Sequence, residues 1–218
     1  FIMAISKLNF NSLNVTPTAS KGIGFDSGAD DLDANLSGGS MVFISKATAS
    51  SSATIDFTSG IDSTYKEYIF IFNNIHPATD NTQFAFQVDT GTNTNYNQAI
   101  TSSTFRAFNR EPNDDAGLGY VAGEDQGQGT AFQKLTAGGT IGADNDQSGS
   151  GYFHLFNPSN TTFVKQFIGR SSANHASDYA TDFYLAGYVN TTTALTRVRF
   201  KMLSGNIDAG TITLYGIT

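Results

Sequence analysis

The chain has no cysteine, no tryptophan and only 4 prolines in 218 residues. Without cysteine there is no disulfide framework, no thiolate nucleophile and no Cys-ligated zinc. Charge is scarce as well: Asp, Glu, Lys and Arg make up 14% of the chain, against about 25% in an ordinary globular protein. The charges that remain lean acidic, with Lys+Arg 12 against Asp+Glu 19 and a net charge of −7. An acidic chain without a Lys/Arg stripe repels phosphate backbones and anionic lipid surfaces, so neither nucleic acid nor membrane is an expected partner. No run of about 18 apolar residues occurs, so no helical membrane span is expected. Phe1 to Asn11 lack a basic start followed by an apolar core and do not read as a signal peptide. Met3 reads as the natural start, which leaves Phe1 and Ile2 without an explanation.

What replaces charge is Gly, Ser, Thr and Asn, together with 18 Phe and 9 Tyr. Disordered chains pair high charge with few aromatics, whereas these rings, each burying about 150–250 Å², can build a large core. The periodicity is that of strands. Lys66–Ile75 reads KEYIFIFNNI, apolar on both faces, which predicts a central strand covered on both sides. Thr82–Val88 alternates cleanly and predicts a half-buried strand with Phe84, Phe86 and Val88 inward and Gln83, Ala85 and Gln87 outward. Further strands are predicted at Met41–Ala47, Ala53–Phe57, Gln98–Phe108, Ser150–Asn157, Phe163–Arg170, Asp182–Val189, Leu195–Leu203 and Gly210–Ile217. Short apolar pieces at Leu118–Val121 and Phe132–Leu135 fit short strands between long loops, and no window has a helical period. Roughly ten to twelve strands at this spacing predict one all-β domain, a jelly-roll-like antiparallel sandwich over residues 41–218. Residues 1–40, rich in Gly, Ser and Asp, are expected to form an extended N-terminal arm that anchors the domain.

Motifs that carry chemistry are thin. His76, His154 and His175 form no metal-binding pair, and His175 is expected to make a salt link with Asp178. There is no G-x-S-x-G elbow and no Walker loop. The acidic residues sit mostly in Gly- and Asn-rich turns, where Asp bonds its own backbone, so no glycosidase pair is expected. Asp144, Asp146 and Ser148, with Gly149, imitate the first half of a calcium loop, but its twelfth position is Leu155. A turn is the plainer reading, and calcium the weak alternative; Asp31, Asp33 and Asn35 give a fainter version. Asn160 and Asn190 match the glycosylation pattern, as chance alone allows in a chain this rich in Asn and Thr. Tyr96, Phe105, Phe108, Tyr120, Tyr179, Tyr184 and Tyr188 could stack on sugars, pack in the core or fill a subunit interface. Arg197, Arg199 and Lys201 alternate with Val198, Phe200 and Met202 and form a positive row that could meet acidic residues of a neighbour.

Several strings carry a resemblance. Ile55–Tyr65 (IDFTSGIDSTY), Glu67–Phe70, Asn74–Asp80 (NIHPATD), Leu155–Ser159 (LFNPS), and Ser204–Ile207 followed by Gly210–Ile212 and Leu214–Ile217 make up the pattern. The chain resembles, over about residues 41–218, a family of virion structural proteins from tailed phages, especially marine ones, described as tail-fibre-like or structural. The resemblance implies a non-enzymatic protein of the particle, decorating the capsid or forming part of the tail, assembled in the host cytoplasm. It implies no catalytic residues and no cofactor. Other virion proteins are then the expected partners and a homo-oligomer, with trimers favoured, the expected state. The alternative is a receptor-binding module for host-surface glycans.

Overall fold

The computed structural model describes residues 22–25, 32–36, 40–92 and 94–218. The chain divides into two units, Phe1–Val42 and Phe43–Thr218. In the first, β1 (Gly22–Phe25) and β2 (Leu32–Leu36) pair as a two-stranded antiparallel sheet, inside the segment expected to be an irregular arm. Apart from Ser40, the remainder of that arm, including Asp31, lies outside the described residues.

The rest is two antiparallel sheets. The strands are β3 (Met41–Thr48), β4 (Ile55–Phe57), β5 (Glu67–Pro77), β6 (Phe84–Asp89), β7 (Ile100–Arg110), β8 (Ala116–Tyr120), β9 (Gln133–Lys134), β10 (Gly149–Phe156), β11 (Lys165–His175), β12 (Tyr179–Val189), β13 (Arg197–Met202) and β14 (Ile207–Ile217). One sheet has eight strands in the order β3-β14-β5-β10-β11-β12-β7-β8, and the other has four in the order β4-β13-β6-β9. The expected antiparallel all-β sandwich is therefore present. Its sheets are unequal, and a simple eight-stranded jelly roll does not describe their order.

The sandwich closes on phenylalanine. Tyr68, Phe70 and Phe72 of β5, Phe153 of β10, Phe167 of β11 and Ile212 and Leu214 of β14 point from the larger sheet toward Phe84, Phe86, Val88, Val198 and Phe200 of the smaller one. Phe200 is the hub: its ring centroid lies 5.3 Å from that of Phe70, 5.7 Å from Phe84, 6.2 Å from Phe57 and 6.3 Å from Phe153. The Phe84 ring is stacked in an offset manner and the other three stand edge-on or tilted, all favoured aromatic geometries. Lys165, at the start of β11, is fully buried as well; its Nζ donates to the carbonyls of Phe163 (3.1 Å) and Thr191 (3.0 Å), and burial pushes its pKa down.

Three sequence expectations change. The Ser/Ala/Asn stretch after Arg170 is not a turn: β11 continues to His175 because Ser171 is buried and donates its hydroxyl to the Leu135 carbonyl at 2.7 Å. The strand β6 is not half-buried but buried on both faces. Gln87 points outward as expected, but loops fold over it, and its amide donates to the carbonyls of Gln98 (3.0 Å), Thr130 (3.2 Å) and Ala131 (3.1 Å). Asp89 likewise holds the next loop, accepting from the backbone N–H of Gly91 and of Tyr96. Conversely β5, whose pattern predicts cover on both sides, has Ile69 and Ile71 half-exposed on its outer face.

Candidate functional site

The two outer faces differ sharply. That of the four-stranded sheet is clothed by its own loops. Tyr96 is buried there, with the Arg199 guanidinium 4.0 Å over its ring, while Lys201 lies 5.4 Å from the Phe132 ring. Arg199 is bound to Asp56 through two hydrogen bonds of 2.8 and 2.6 Å, an ion pair within the chain. Arg199 and Lys201 of the positive row are thus engaged by groups of their own chain. These two do not stand out as a cationic patch offered to a neighbour.

Among the described residues, no loop covers the outer face of the eight-stranded sheet in this way. Strand parity puts every second residue there, and the registers align them into rows. One row runs Ile71, Tyr152, Arg170, Tyr184, Phe105, Tyr120 across β5, β10, β11, β12, β7 and β8. The next runs Tyr215, Ile69, His154, Ile168, Ala186. Phe105 (43% exposed), Tyr152 (39%) and Ile168 (40%) stand on this face, together with Phe43, Leu118 and Tyr120. They make up most of the exposed large apolar side chains among the described residues.

The planar groups of the first row are stacked on one another. The rings of Tyr184 and Phe105 lie 4.5 Å apart at 6°, and the Arg170 guanidinium sits 4.8 Å over Tyr184. Rings stacked across strands stand on edge, so hydrogens and hydroxyls face out and the π-faces are spent inside the row. The charges over the middle of the face come as pairs. Arg170 donates to Asp182 through Nε (3.0 Å) and Nη2 (2.7 Å), and the Tyr184 hydroxyl donates to the same carboxylate at 3.0 Å. These bonds hold the Asp182 pKa below its usual value and raise those of Arg170 and Tyr184. His154 Nε2 lies 3.1 Å from Glu67 but out of line for a hydrogen bond; burial lowers its pKa despite that carboxylate.

The other candidates sort plainly. Asp144 and Asp146 are exposed in a turn closed by buried Gln147, whose N–H donates to the Asp144 carbonyl at 2.8 Å while its side-chain oxygen accepts from Asp144 N–H at 3.2 Å. The Asp144 carbonyl also accepts from His76, and Ser148 leads into β10. Among the described residues no group of three or more His, Cys, Asp or Glu is placed to hold a metal ion. The Asn160 side chain caps its own loop by accepting from the N–H groups of Thr162 and Phe163, both at 2.7 Å. His175 meets Asp178 through the backbone, Asp178 N–H to the His175 carbonyl at 2.9 Å, and its ring accepts from Ser177 N–H rather than forming the expected salt link. Of the seven aromatics singled out, Tyr96 is internal. Phe105, Tyr120, Tyr184 and Tyr188 belong to the bare face, and Phe108 and Tyr179 flank a separate cavity. Tyr152, Ile168, Arg170 and Asp182 escaped the sequence reading, although the uncovered apolar side of β5 points to their row. Comparison with protein-family models, curated proteins and solved structures finds no match.

Proposed function

We propose that this chain is a non-enzymatic structural module of a tailed-phage particle, which assembles with copies of itself through the bare face of its eight-stranded sheet. The observation that supports assembly is the charge-poor, aromatic row from Ile71 to Tyr120. Interface cores are depleted in charge and enriched in Tyr, Phe and Arg, which is the composition of this face. Seven strand spacings of about 4.8 Å by some six residues of about 3.3 Å give roughly 700 Å², close to the about 800 Å² per partner of a standard interface. A second copy is the favoured occupant on electrostatic grounds. Two chains of net charge −7 repel through most of their surfaces, but on this face Arg170 is neutralised by Asp182 and His154 lies against Glu67. A flat glycan is less well matched, because Tyr184 and Phe105 have already used their ring faces on each other.

Sedimentation of the full chain over micromolar concentrations tests this reading. The wild type is expected to be an oligomer, with the trimer as the first mass to look for, and Ile168→Glu to be a monomer with an unchanged circular dichroism spectrum. A wild type that stays monomeric, or an Ile168→Glu variant that assembles normally, overturns the assembly. Antibodies against the chain should label intact particles; particles without label overturn the virion assignment.

A further inference from the structure

The inner face of the eight-stranded sheet is not filled along its whole length. Along β7 the inward positions pass from buried Ile100 and Thr104 to half-exposed Arg106, Phe108 and Arg110. Register sets Arg106 opposite Phe183, Phe108 opposite Thr181 and Arg110 opposite Tyr179. With Asp115, His175 and Ser177 they border an open cavity of roughly 500 Å³, within the about 300–1,000 Å³ of small-ligand sites.

The donors in this cavity are not used up by the protein. The Arg106 guanidinium lies 4.9 Å over the Phe108 ring, and among the described residues it makes no ion pair and donates no hydrogen bond. Its neighbour Arg110 reaches Asp114 through Nη1 at 3.4 Å, but its Nε is buried without a partner. A buried N–H left unmade costs about 1–3 kcal/mol, more when charged, so an acceptor supplied from outside would be favoured there. The acceptors present are few: the Asp115 carboxylate takes the Tyr179 hydroxyl at 2.8 Å. Burial and, next, the nearby Arg106 charge push the His175 pKa down and favour its neutral ring. Arg110 is already paired with Asp114, so Arg106 is the lining guanidinium without an ion pair among the described residues, and a single outside carboxylate matches it. A doubly charged phosphate would bring a second, uncompensated charge up to Asp115.

We propose that this cavity binds a sugar acid, with a single carboxylate held by Arg106 and by Arg110 Nε and ring hydroxyls meeting Asp115, Ser177 and Thr181. Planar guanidinium forks suit carboxylates, and Asp115 and the two hydroxyl side chains suit a polyol. The site is independent of the assembly face, since it opens from the other side of the sheet. A free hexuronate and a hexuronate residue within a glycan offer the same chemistry.

Titration of the full-length protein with glucuronate, glucose, inorganic phosphate and a glucuronate-containing oligosaccharide, followed by ¹H–¹⁵N spectra, tests the site. Glucuronate is expected to shift the Arg110 Nε–H signal and the backbone signals of Arg106, Phe108 and Tyr179. Its affinity should exceed that of glucose and of phosphate by at least about tenfold, and Arg106→Gln should remove at least that factor. Phe105→Ala, on the opposite face, should bind as the wild type does. Tighter binding of the oligosaccharide than of the free acid identifies a glycan as the source, and equal binding a free metabolite. No shift with glucuronate, equal binding of phosphate, or shifts confined to other residues overturns the proposal, and these readouts on the wild type stand even if Arg106→Gln fails to fold.

Discussion

The same substitution, Phe→Ala, made once in the core and once on the bare face, separates packing from assembly. Phe200 is 0% exposed and touches four other rings. Truncation of a buried Phe costs about 3–5 kcal/mol, because the transfer energy of the ring is lost and a cavity remains. Four neighbours that are themselves aromatic and held from two sheets collapse poorly, so about 4–5 kcal/mol is expected here. For a chain of this size each kcal/mol moves Tm by about 2–4 °C, giving a fall of roughly 8–20 °C. Phe105 is 43% exposed and leaves no cavity; a monomer loses its stacking with Tyr184, about 0.5–1.5 kcal/mol or roughly 1–6 °C. The exposed part of Phe105, about 85 Å² of a ring side chain of about 200 Å², is what a second copy would cover. At about 25 cal/mol per Å² that is roughly 2 kcal/mol per copy, some thirtyfold in association. Thermal melts of both variants at two protein concentrations decide the matter. Phe200→Ala should lose stability equally at both, and Phe105→Ala should lose more, relative to wild type, at the concentration where the wild type is assembled. Equal losses at Phe200 and Phe105 in dilute solution would refute the sandwich assignment of the two faces; a concentration-independent Phe105 effect would refute the interface.

Two further outcomes follow from buried polar groups. Gln87→Leu keeps the volume but strips the partner from the carbonyls of Gln98, Thr130 and Ala131; a loss of about 2–4 kcal/mol is expected, with faster hydrogen exchange in residues 90–99 and 126–132 and little change in β10–β12. Uniform exchange throughout would show that Gln87 does not pin these loops. Acid sensitivity should come in two windows. His154 and His175 have folded pKa values below 6.5, so the unfolded chain binds more protons as pH falls below about 6.5, and stability declines there until pH passes the folded values. Asp62 and Asp182 are depressed below 3.8, so their contribution is intact above that value and is lost only as pH falls through the folded pKa. His154→Gln should reduce the first window to the share of His175 and leave the second; denaturant midpoints measured from pH 7 to pH 3 check both.

The strands were legible because period two is written into the chain wherever one face is buried. Phe84, Phe86 and Val88, or Val198, Phe200 and Met202, could hardly be read otherwise. What covers a strand was not legible. Gln87 reads as solvent-facing because polarity alone does not reveal a loop whose carbonyls need a donor. Ile69 and Ile71 read as internal, and the structure leaves them half-exposed on a sheet face that none of the described loops roofs. The stacked row was hidden for a related reason. Tyr152, Arg170, Tyr184 and Phe105 are scattered along the sequence and become neighbours only through the registers of four strands. Arg106 and Arg110 belong to no sequence motif, and the cavity they line lies on a sheet of eight strands that faces one of only four.

The position of β14 has a consequence for how the molecule is made. Ile207–Ile217 follows every other described strand in sequence yet lies between β3 and β5. A ribosome therefore releases β3 more than a hundred and fifty residues before its one neighbour among the described strands exists. Throughout that interval one flank of β5 and both flanks of β3 show open backbone donors and acceptors, a template for pairing with another nascent chain. Polysomes making many copies at once would hold such edges side by side. The neutral Ser, Thr and Asn content does little to keep them apart, so yield should depend on translation rate and on holding chaperones more than on the stability of the finished sandwich.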